Sequence, residues 1–269
     1  MNTPSPKRLL VFVAVAITGA YLVAMVAVFA AQRSLLYVPN PKRPEVPAGV
    51  LEVELTASDG TELLAWTIPE ERSQAALLLH GNAGNRRNFL GTFYGFLDLG
   101  YRPFLLDYCG YGGSSGEPSE AGLYSDAEAA WKWLEDNGAD TIVLWGYSLG
   151  TGVAVELATR HDETHVILDA PFDSATGVAA RIYPWLPVSL LMLDRFDSLE
   201  KIGAIDSPLL IFHGDRDETI PMVHGRRLFE GAREPRRLEV ITGAGHNDLH
   251  AIAGQNYWTV LKDFVRNTK

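Results

Sequence analysis

The pattern of apolar and polar positions changes character three times along the chain. Residues 9–31 are apolar or small throughout, with no charge and no proline. At about 1.5 Å of rise per residue, a run of roughly 20 such residues crosses a bilayer as a helix. Residues 32–49 carry Pro39, Pro41, Pro44 and Pro47 and read as an extended juxtamembrane linker. Residues 50–56 then alternate like a half-buried strand, Asp59-Gly60 marks a turn, and residues 63–68 return from it as a hairpin. After the hairpin, short apolar runs recur at 75–79, 102–106, 141–145, 165–168, 208–212 and 237–241. Such runs are typical of buried parallel strands.

Helical patterns lie between most of these runs. Leu123, Ala127, Ala130, Trp131 and Leu134 give residues 121–137 one apolar face, and Gly138 is a stop. Residues 248–265 predict a closing helix. An antiparallel pair followed by βαβ units predicts one α/β domain, a mostly parallel eight-stranded sheet with helices on both faces, plus an N-terminal transmembrane helix. The expected organisation is a tail over 1–8, an anchor over 9–31, a linker over 32–49 and the domain over 50–269. Ligands of such sheets bind at the carboxyl ends of the strands. The whole site is therefore expected beyond Gly49, with the anchor only holding the domain on the membrane.

One connection is longer than its two strands need. Residues 171–207 contain an apolar, aromatic stretch over 183–193. It reads either as a lid over an acyl pocket or as a helix packed on the core. The anchor also has two readings. Its run exceeds the roughly 7–15 residues of a signal-peptide core, which favours an uncleaved single-pass anchor. A cleavage-like Val28-Phe29-Ala30 keeps a removed signal as the alternative. Lys7 and Arg8 on one side nearly balance Arg33, Lys42 and Arg43 on the other. The reading leans to the amino terminus inside and the domain outside the cytoplasm.

Composition narrows the partners. The 269 residues carry a net charge of −10, with a pI near 5.2, which argues against nucleic acid. The single cysteine, Cys109, excludes an internal disulfide and a four-cysteine zinc site.

The chemistry is concentrated in Gly146-Tyr147-Ser148-Leu149-Gly150, which has a strand-like run before it and a helix-like run after it. This is the G-x-S-x-G pattern of a nucleophile elbow, in which a serine is lifted onto a sharp turn where a base can reach it. The bland alternative is a strand-to-helix turn with Ser148 as N-cap. A serine hydrolase of this type needs an acid and then a histidine later in the chain. Gly214-Asp215-Arg216-Asp217 and Gly243-Ala244-Gly245-His246 follow successive strands in that order. His246 is the preferred base among seven histidines. His213 reads as a packed histidine and His80 as one that shapes the glycine-rich loop. Asp217 is the preferred acid, with Asp169 and Asp215 as alternatives, Asp215 being the more suited to bracing the loop. Two backbone N–H groups are needed for the oxyanion, and Leu149 and Asn82 are the candidates. His246 and His250 have a zinc-compatible spacing but lack the glutamate that a metalloprotease places after its first histidine. No metal or cofactor is called for.

These stretches resemble the Bem46-like α/β-hydrolases, which are related to the membrane-associated types 13 and 17 of the α/β-hydrolase domain-containing proteins. The resemblance covers residues 34–264. It runs through Leu35-Leu36-Tyr37-Val38-Pro39, His80-Gly81-Asn82-Ala83-Gly84-Asn85, Asp107-Tyr108-Cys109-Gly110-Tyr111-Gly112-Gly113-Ser114 and the elbow. It continues through Ala170-Pro171-Phe172-Asp173-Ser174, Asp194-Arg195-Phe196-Asp197-Ser198, residues 213–221 and residues 243–249. It implies Ser148, Asp217 and His246 as a triad. Cys109 stands where such proteins usually carry arginine, which puts in doubt an ionic tie near Asp107. Relatives of type 17 remove fatty acyl groups from protein cysteines and carry a cysteine-rich amino terminus; this chain has an apolar helix there. The expected function is a membrane-anchored serine hydrolase acting on an ester or acyl-thioester, of a lipid or an acylated protein. A serine peptidase of the same fold and a non-catalytic anchored scaffold are the alternatives.

Overall fold

The computed structural model describes residues 5–161 and 165–268; residues 1–4 of the expected tail and residue 269 of the expected domain lie outside it. The chain opens with α1 (Pro6–Leu36), a single helix with a mean hydropathy of 2.6 over its most apolar window, long and apolar enough to cross a membrane. Pro6 sits in its first turn, where a missing N–H costs nothing. The helix outlasts the apolar run by five residues because nothing in Gln32-Arg33-Ser34-Leu35-Leu36 breaks it.

The segment read as a linker is partly built into the fold. Tyr37 is buried, and β1 (Val38–Pro39) pairs in parallel with β5 (Ala83–Gly84) in the glycine-rich loop. The main sheet contains β2 (Leu51–Thr56), β3 (Glu62–Thr67), β4 (Gln74–Leu79), β6 (Arg102–Asp107), β7 (Thr141–Tyr147), β8 (Val166–Asp169), β9 (Leu209–Gly214) and β10 (Arg236–Ile241). Their spatial order is β10-β9-β8-β7-β4-β6-β3-β2. β2 and β3 pair antiparallel, β3 is antiparallel to β6, and all other pairs are parallel.

Period-two burial explains why the central strands read as unbroken apolar runs. In β4, Leu77 and Leu79 join the core on one face of the sheet, and Ala76 and Leu78 join the core on the other. α3 (Glu120–Asp136), capped by Ser119, covers the first face together with α4 (Leu149–Ala158). α2 (Leu90–Asp98) and the carboxyl-terminal helices cover the second. The single closing helix expected from the sequence is two, α8 (Leu249–Ala253) and α9 (Gln255–Asn267). They part at Gly254, whose φ of 52° takes it out of the helical region.

The connection over 171–207 holds three short α-helices, α5 (Ala175–Ile182), α6 (Val188–Leu191) and α7 (Ser198–Lys201), and a 3-10 turn at Ile202–Ala204. Its start is fastened by Asp173, which accepts from His224 Nδ1 at 2.7 Å and from Arg227 at 2.8 Å. Burial works against that carboxylate's charge, but the two partners hold its pKa down at about 2.

Asp107 is a fully buried charge. It accepts from the Arg86 amide at 2.7 Å and pairs with the Arg86 guanidinium, which also meets Glu52 and the Gly112 carbonyl. Both side chains are fully buried, and the guanidinium stacks 4.8 Å from the Trp66 ring centroid. The ionic partner of Asp107 therefore comes from the segment after the glycine-rich loop, and cysteine at position 109 leaves Asp107 paired. Asp107→Asn takes the fully buried carboxylate from Arg86 and leaves it Glu52 as ionic partner, so unfolding free energy is expected to fall by about 1.5–3 kcal/mol in urea titrations. A loss under about 1 kcal/mol would mean that water reaches Arg86.

Candidate active site

The elbow forms because two glycines let three backbone segments meet. A Cβ on Gly146 would lie 2.5 Å from the Gly150 carbonyl oxygen, and one on Gly150 would lie 2.0 Å from that of Leu79. With neither present, α4 starts directly at the end of β7 and presses against β4. Ser148 absorbs the reversal at φ 50° and ψ −116°, a conformation that L-residues rarely adopt. Its amide donates to the Asp169 carbonyl at 3.0 Å, and Thr151 donates back to the Ser148 carbonyl at 2.6 Å. The Ser148 side chain caps nothing.

Two loops on neighbouring strands bring the other groups to it. His246 Nε2 lies 3.0 Å from Ser148 Oγ, and His246 Nδ1 lies 2.7 Å from Asp217 Oδ2. With Nδ1–H donating to the carboxylate, Nε2 is free to accept the serine proton. Asp217 is buried after β9, and its Oδ1 accepts from the amides of Thr219 at 2.9 Å and Ile220 at 2.7 Å. These bonds fix the carboxylate plane that faces the imidazole. The histidine loop is braced separately. Gly243 donates to Asp215 at 2.7 Å, Gly245 to Asp248 at 2.6 Å, and Tyr147 through its hydroxyl to the His246 carbonyl at 2.8 Å.

The other candidates have other partners. Asp169 Oδ2 accepts from Trp145 at 2.9 Å and Tyr257 at 2.8 Å, and faces His250 Nε2 at 2.6 Å. His246 and His250 thus turn to different carboxylates. Buried His213 donates from Nε2 to the Ile220 carbonyl at 2.8 Å, and burial lowers its pKa, which keeps it neutral at pH 7. His80, also buried, lies 2.7 Å from the Gly81 carbonyl through Nδ1 and 3.1 Å from Asp107 through Nε2. It sits under the glycine-rich loop.

Asn82 reaches the site from the opposite side. Its carbonyl accepts from Tyr111 OH at 2.8 Å, and its side-chain oxygen accepts from the Val38 amide at 3.1 Å. Leu149 is the first residue of α4, where an amide has no intrahelical acceptor. Both residues line a cavity of about 280 Å³ that contains Ser148. Its remaining wall is mostly apolar and includes Phe172, Leu186 and Met192 from the long connection. It also includes Val28, Phe29 and Gln32 from α1, against the expectation that the anchor stands apart from the site. The supporting roles of Tyr111, Tyr147 and Val38 were not foreseen. Tyr111 and Val38 lie inside stretches quoted for the resemblance, but nothing in a single sequence says which neighbour a phenol or an amide will bond.

A hydroxyl on a strained turn, an imidazole within its reach and a buried carboxylate behind the imidazole can together make an oxygen nucleophile. Comparison with known proteins bears on the scaffold that carries this arrangement. Residues 77–196 match a family model described as alpha/beta hydrolase fold. The chain is 36% identical over 264 residues to an uncharacterised protein of Mycobacterium tuberculosis, covering 92% of this chain and 94% of that one. It is 40% identical over 196 residues to alpha/beta hydrolase domain-containing protein 17B of Homo sapiens, covering 70% of this chain and 65% of the human protein. Among solved structures, the Pyrococcus furiosus esterase Pf2001 superposes with a TM-score of 0.73 at 22% identity, over 86% of this chain and 99% of the esterase. An esterase from Exiguobacterium antarcticum gives 0.66 at 20% identity, over 80% of this chain and all of its own.

The elbow geometry makes a direct prediction. Gly150→Ala should cost about 3 kcal/mol of overpacking, about 6–12 °C in Tm for a domain of this size. Gly91→Ala, in α2 with open space around it, should leave Tm unchanged or raise it. Equal Tm values for the two variants in a thermal scan would contradict the close approach.

Proposed function

The chain belongs to the ABHD-type α/β-hydrolase family, and on that premise we propose that it is a membrane-anchored serine hydrolase of esters or thioesters. The observation that carries the proposal is the unbroken chain of hydrogen bonds from Ser148 Oγ through His246 to Asp217. In the proposed cycle Ser148 Oγ attacks the substrate carbonyl carbon while His246 Nε2 takes the hydroxyl proton. The carbonyl oxygen becomes an oxyanion that accepts from the Leu149 and Asn82 amides. Collapse expels the alcohol or thiol, which leaves with the proton from His246. Water then gives a proton to His246 and attacks the acyl-serine. The acid departs, and the proton returns to Ser148. Asp217 stays ionised throughout; it holds the ring in the Nδ1–H tautomer and stabilises the imidazolium.

An acyl substrate fits better than a peptide. The cavity beside Ser148 is apolar and about 280 Å³, and it has no charged side chain except Asp194, which is engaged with Arg33. A single acyl chain needs no hydrogen bonds along its length, whereas an extended peptide does. We take α1 as a single-pass anchor, with the domain outside the cytoplasm, and residues 171–207 as the roof of the acyl pocket. The support for the anchor is the length and apolarity of α1.

A fluorophosphonate probe should label the wild-type protein and fail on Ser148→Ala. Persisting label on Ser148→Ala places the nucleophile elsewhere, and no label on folded wild type favours a scaffold. Asp217→Asn should lower kcat by about 10³–10⁴ on a p-nitrophenyl ester, as loss of an orienting carboxylate does in other triads. Asp169→Asn should lower it by about tenfold or less, because that carboxylate faces Trp145, Tyr257 and His250. The reverse ranking would move the acid to Asp169.

A further inference from the structure

The wall that α1 contributes to the cavity belongs to a longer contact. Ala24, Met25, Val28 and Gln32 are half-buried, while Leu22, Val23 and Val26 are exposed. The half-buried positions recur at helical spacing, so one face of α1 lies against the connection over 171–207. Polar bonds fix the register. Gln32 accepts from the Leu193 amide at 2.8 Å and donates to the Leu191 carbonyl at 3.3 Å, and Arg33 pairs with Asp194 at 3.0 Å. Tyr21 donates to the Trp185 carbonyl at 2.9 Å. Tyr21 precedes Gln32 by eleven residues, about 16 Å along the helix. The tip of the connection therefore climbs beside α1 to the middle of its apolar run.

Most of the tip's backbone donors are satisfied locally at that level. The amides of Tyr183, Leu186, Val188 and Leu190 are bonded within the connection, and Pro184 and Pro187 have no N–H to satisfy. The Trp185 carbonyl is the group that Tyr21 serves. The Trp185 amide has no such bond; the local bonding of the others is what backbone at membrane depth requires. The side chains point the same way: Ile182, Trp185 and Leu190 are 57%, 55% and 84% exposed beside a helix of membrane length. A surface of this kind marks contact with lipid or a partner, and its place along α1 selects lipid.

We infer that α1 and the connection together form an acyl-chain site that opens sideways into the bilayer. The substrate is an ester or thioester already held in the membrane. Its acyl chain lies against Val28 and Phe29, and its carbonyl reaches Ser148. The volume of about 280 Å³ is near the lower end for ligand pockets and suits one acyl chain, not two. This rests on the serine-hydrolase reading above and adds that the anchor determines specificity.

The test uses the full-length protein in phosphatidylcholine vesicles with p-nitrophenyl acetate, octanoate and laurate. Val28→Trp fills the cavity from the anchor side. It should lower the octanoate-to-acetate and laurate-to-acetate ratios of kcat/KM by about tenfold or more. Phe29→Ala should shift preference toward laurate. Val15→Trp, on the same helix outside the cavity, should keep the wild-type profile. Fluorophosphonate labelling of each variant reports an intact site. An unchanged chain-length profile in both cavity variants overturns the inference, as does equal loss on short and long esters in a variant that still labels. If Val28→Trp does not label, Phe29→Ala alone decides. Wild-type protein that neither labels nor cleaves acetate overturns the catalytic reading and this inference with it. Brominated lipids should quench a tryptophan component that Trp185→Phe removes; unchanged quenching puts the tip in water and overturns the bilayer opening.

Discussion

The close approach of α4 to β4 and β7 is the constraint on which the rest of the site depends. It exists only because positions 146 and 150 carry no side chain, and it forces Ser148 into a backbone conformation that costs about 1–3 kcal/mol. That strain is held by burial on every side: β7 and α4 are almost wholly buried from Ile142 through Ala158. The position of β7 in the sheet then decides what can surround the serine. On one side, β8, β9 and β10 follow in order, so the loops after β9 and β10 can carry a carboxylate and an imidazole toward it. On the other side lies β4, whose loop carries Asn82. The groups converge because sheet order places their loops next to the elbow.

A second constraint ties this centre to the amino terminus. The buried Arg86–Asp107 pair fixes the chain just after the glycine-rich loop, and β1 fixes the loop itself through its pairing with Ala83–Gly84 and the Val38 amide on Asn82. Buried ion pairs often contribute little net stability, since desolvation consumes the Coulombic gain. What this pair supplies is position: a guanidinium with partners on Asp107, Glu52 and Gly112 cannot shift without leaving a charge unpaired. β1 begins two residues after α1 ends. A displacement of the apolar helix therefore bears directly on the loop that carries Asn82.

The sheet was legible in the sequence because buried parallel strands leave unbroken apolar runs, and the elbow because its two glycines have steric causes. The partners of the acids were not. Asp169, Asp215 and Asp217 all lie at or just after strand ends, and only the fold sends one to Trp145 and His250, one to the Gly243 amide and one to His246. The break at Gly254 was hidden because a glycine within a helical pattern does not by itself say that the chain turns. The packing face of α1 was hidden for a different reason. In a run apolar all round, Ala24, Met25 and Val28 look no different from the exposed Leu22, Val23 and Val26, so periodicity carries no signal. The docking of Val38–Pro39 escaped notice because a two-residue strand is too short to show any alternation.

The proposed chemistry and the proposed membrane site place opposite demands on one cavity, and its lining divides accordingly. Hydrolysis needs water and hydrogen-bond donors at the carbonyl, and Ser148, Asn82 and Thr219 lie at that end. An acyl chain needs a dry apolar wall, and Val28, Phe29, Leu186 and Leu191 supply it. Gln32 belongs to that wall too, but its amide is spent on the Leu191 and Leu193 backbone and offers the chain no unpaired polar group. A simple tether would raise the local concentration of membrane substrate and leave orientation to chance. A wall made from α1, as proposed here for the anchor, would do more. In the proposed site, a chain entering along α1 would arrive with its carbonyl end toward the elbow, which would remove part of the entropy of alignment before the ester meets Ser148.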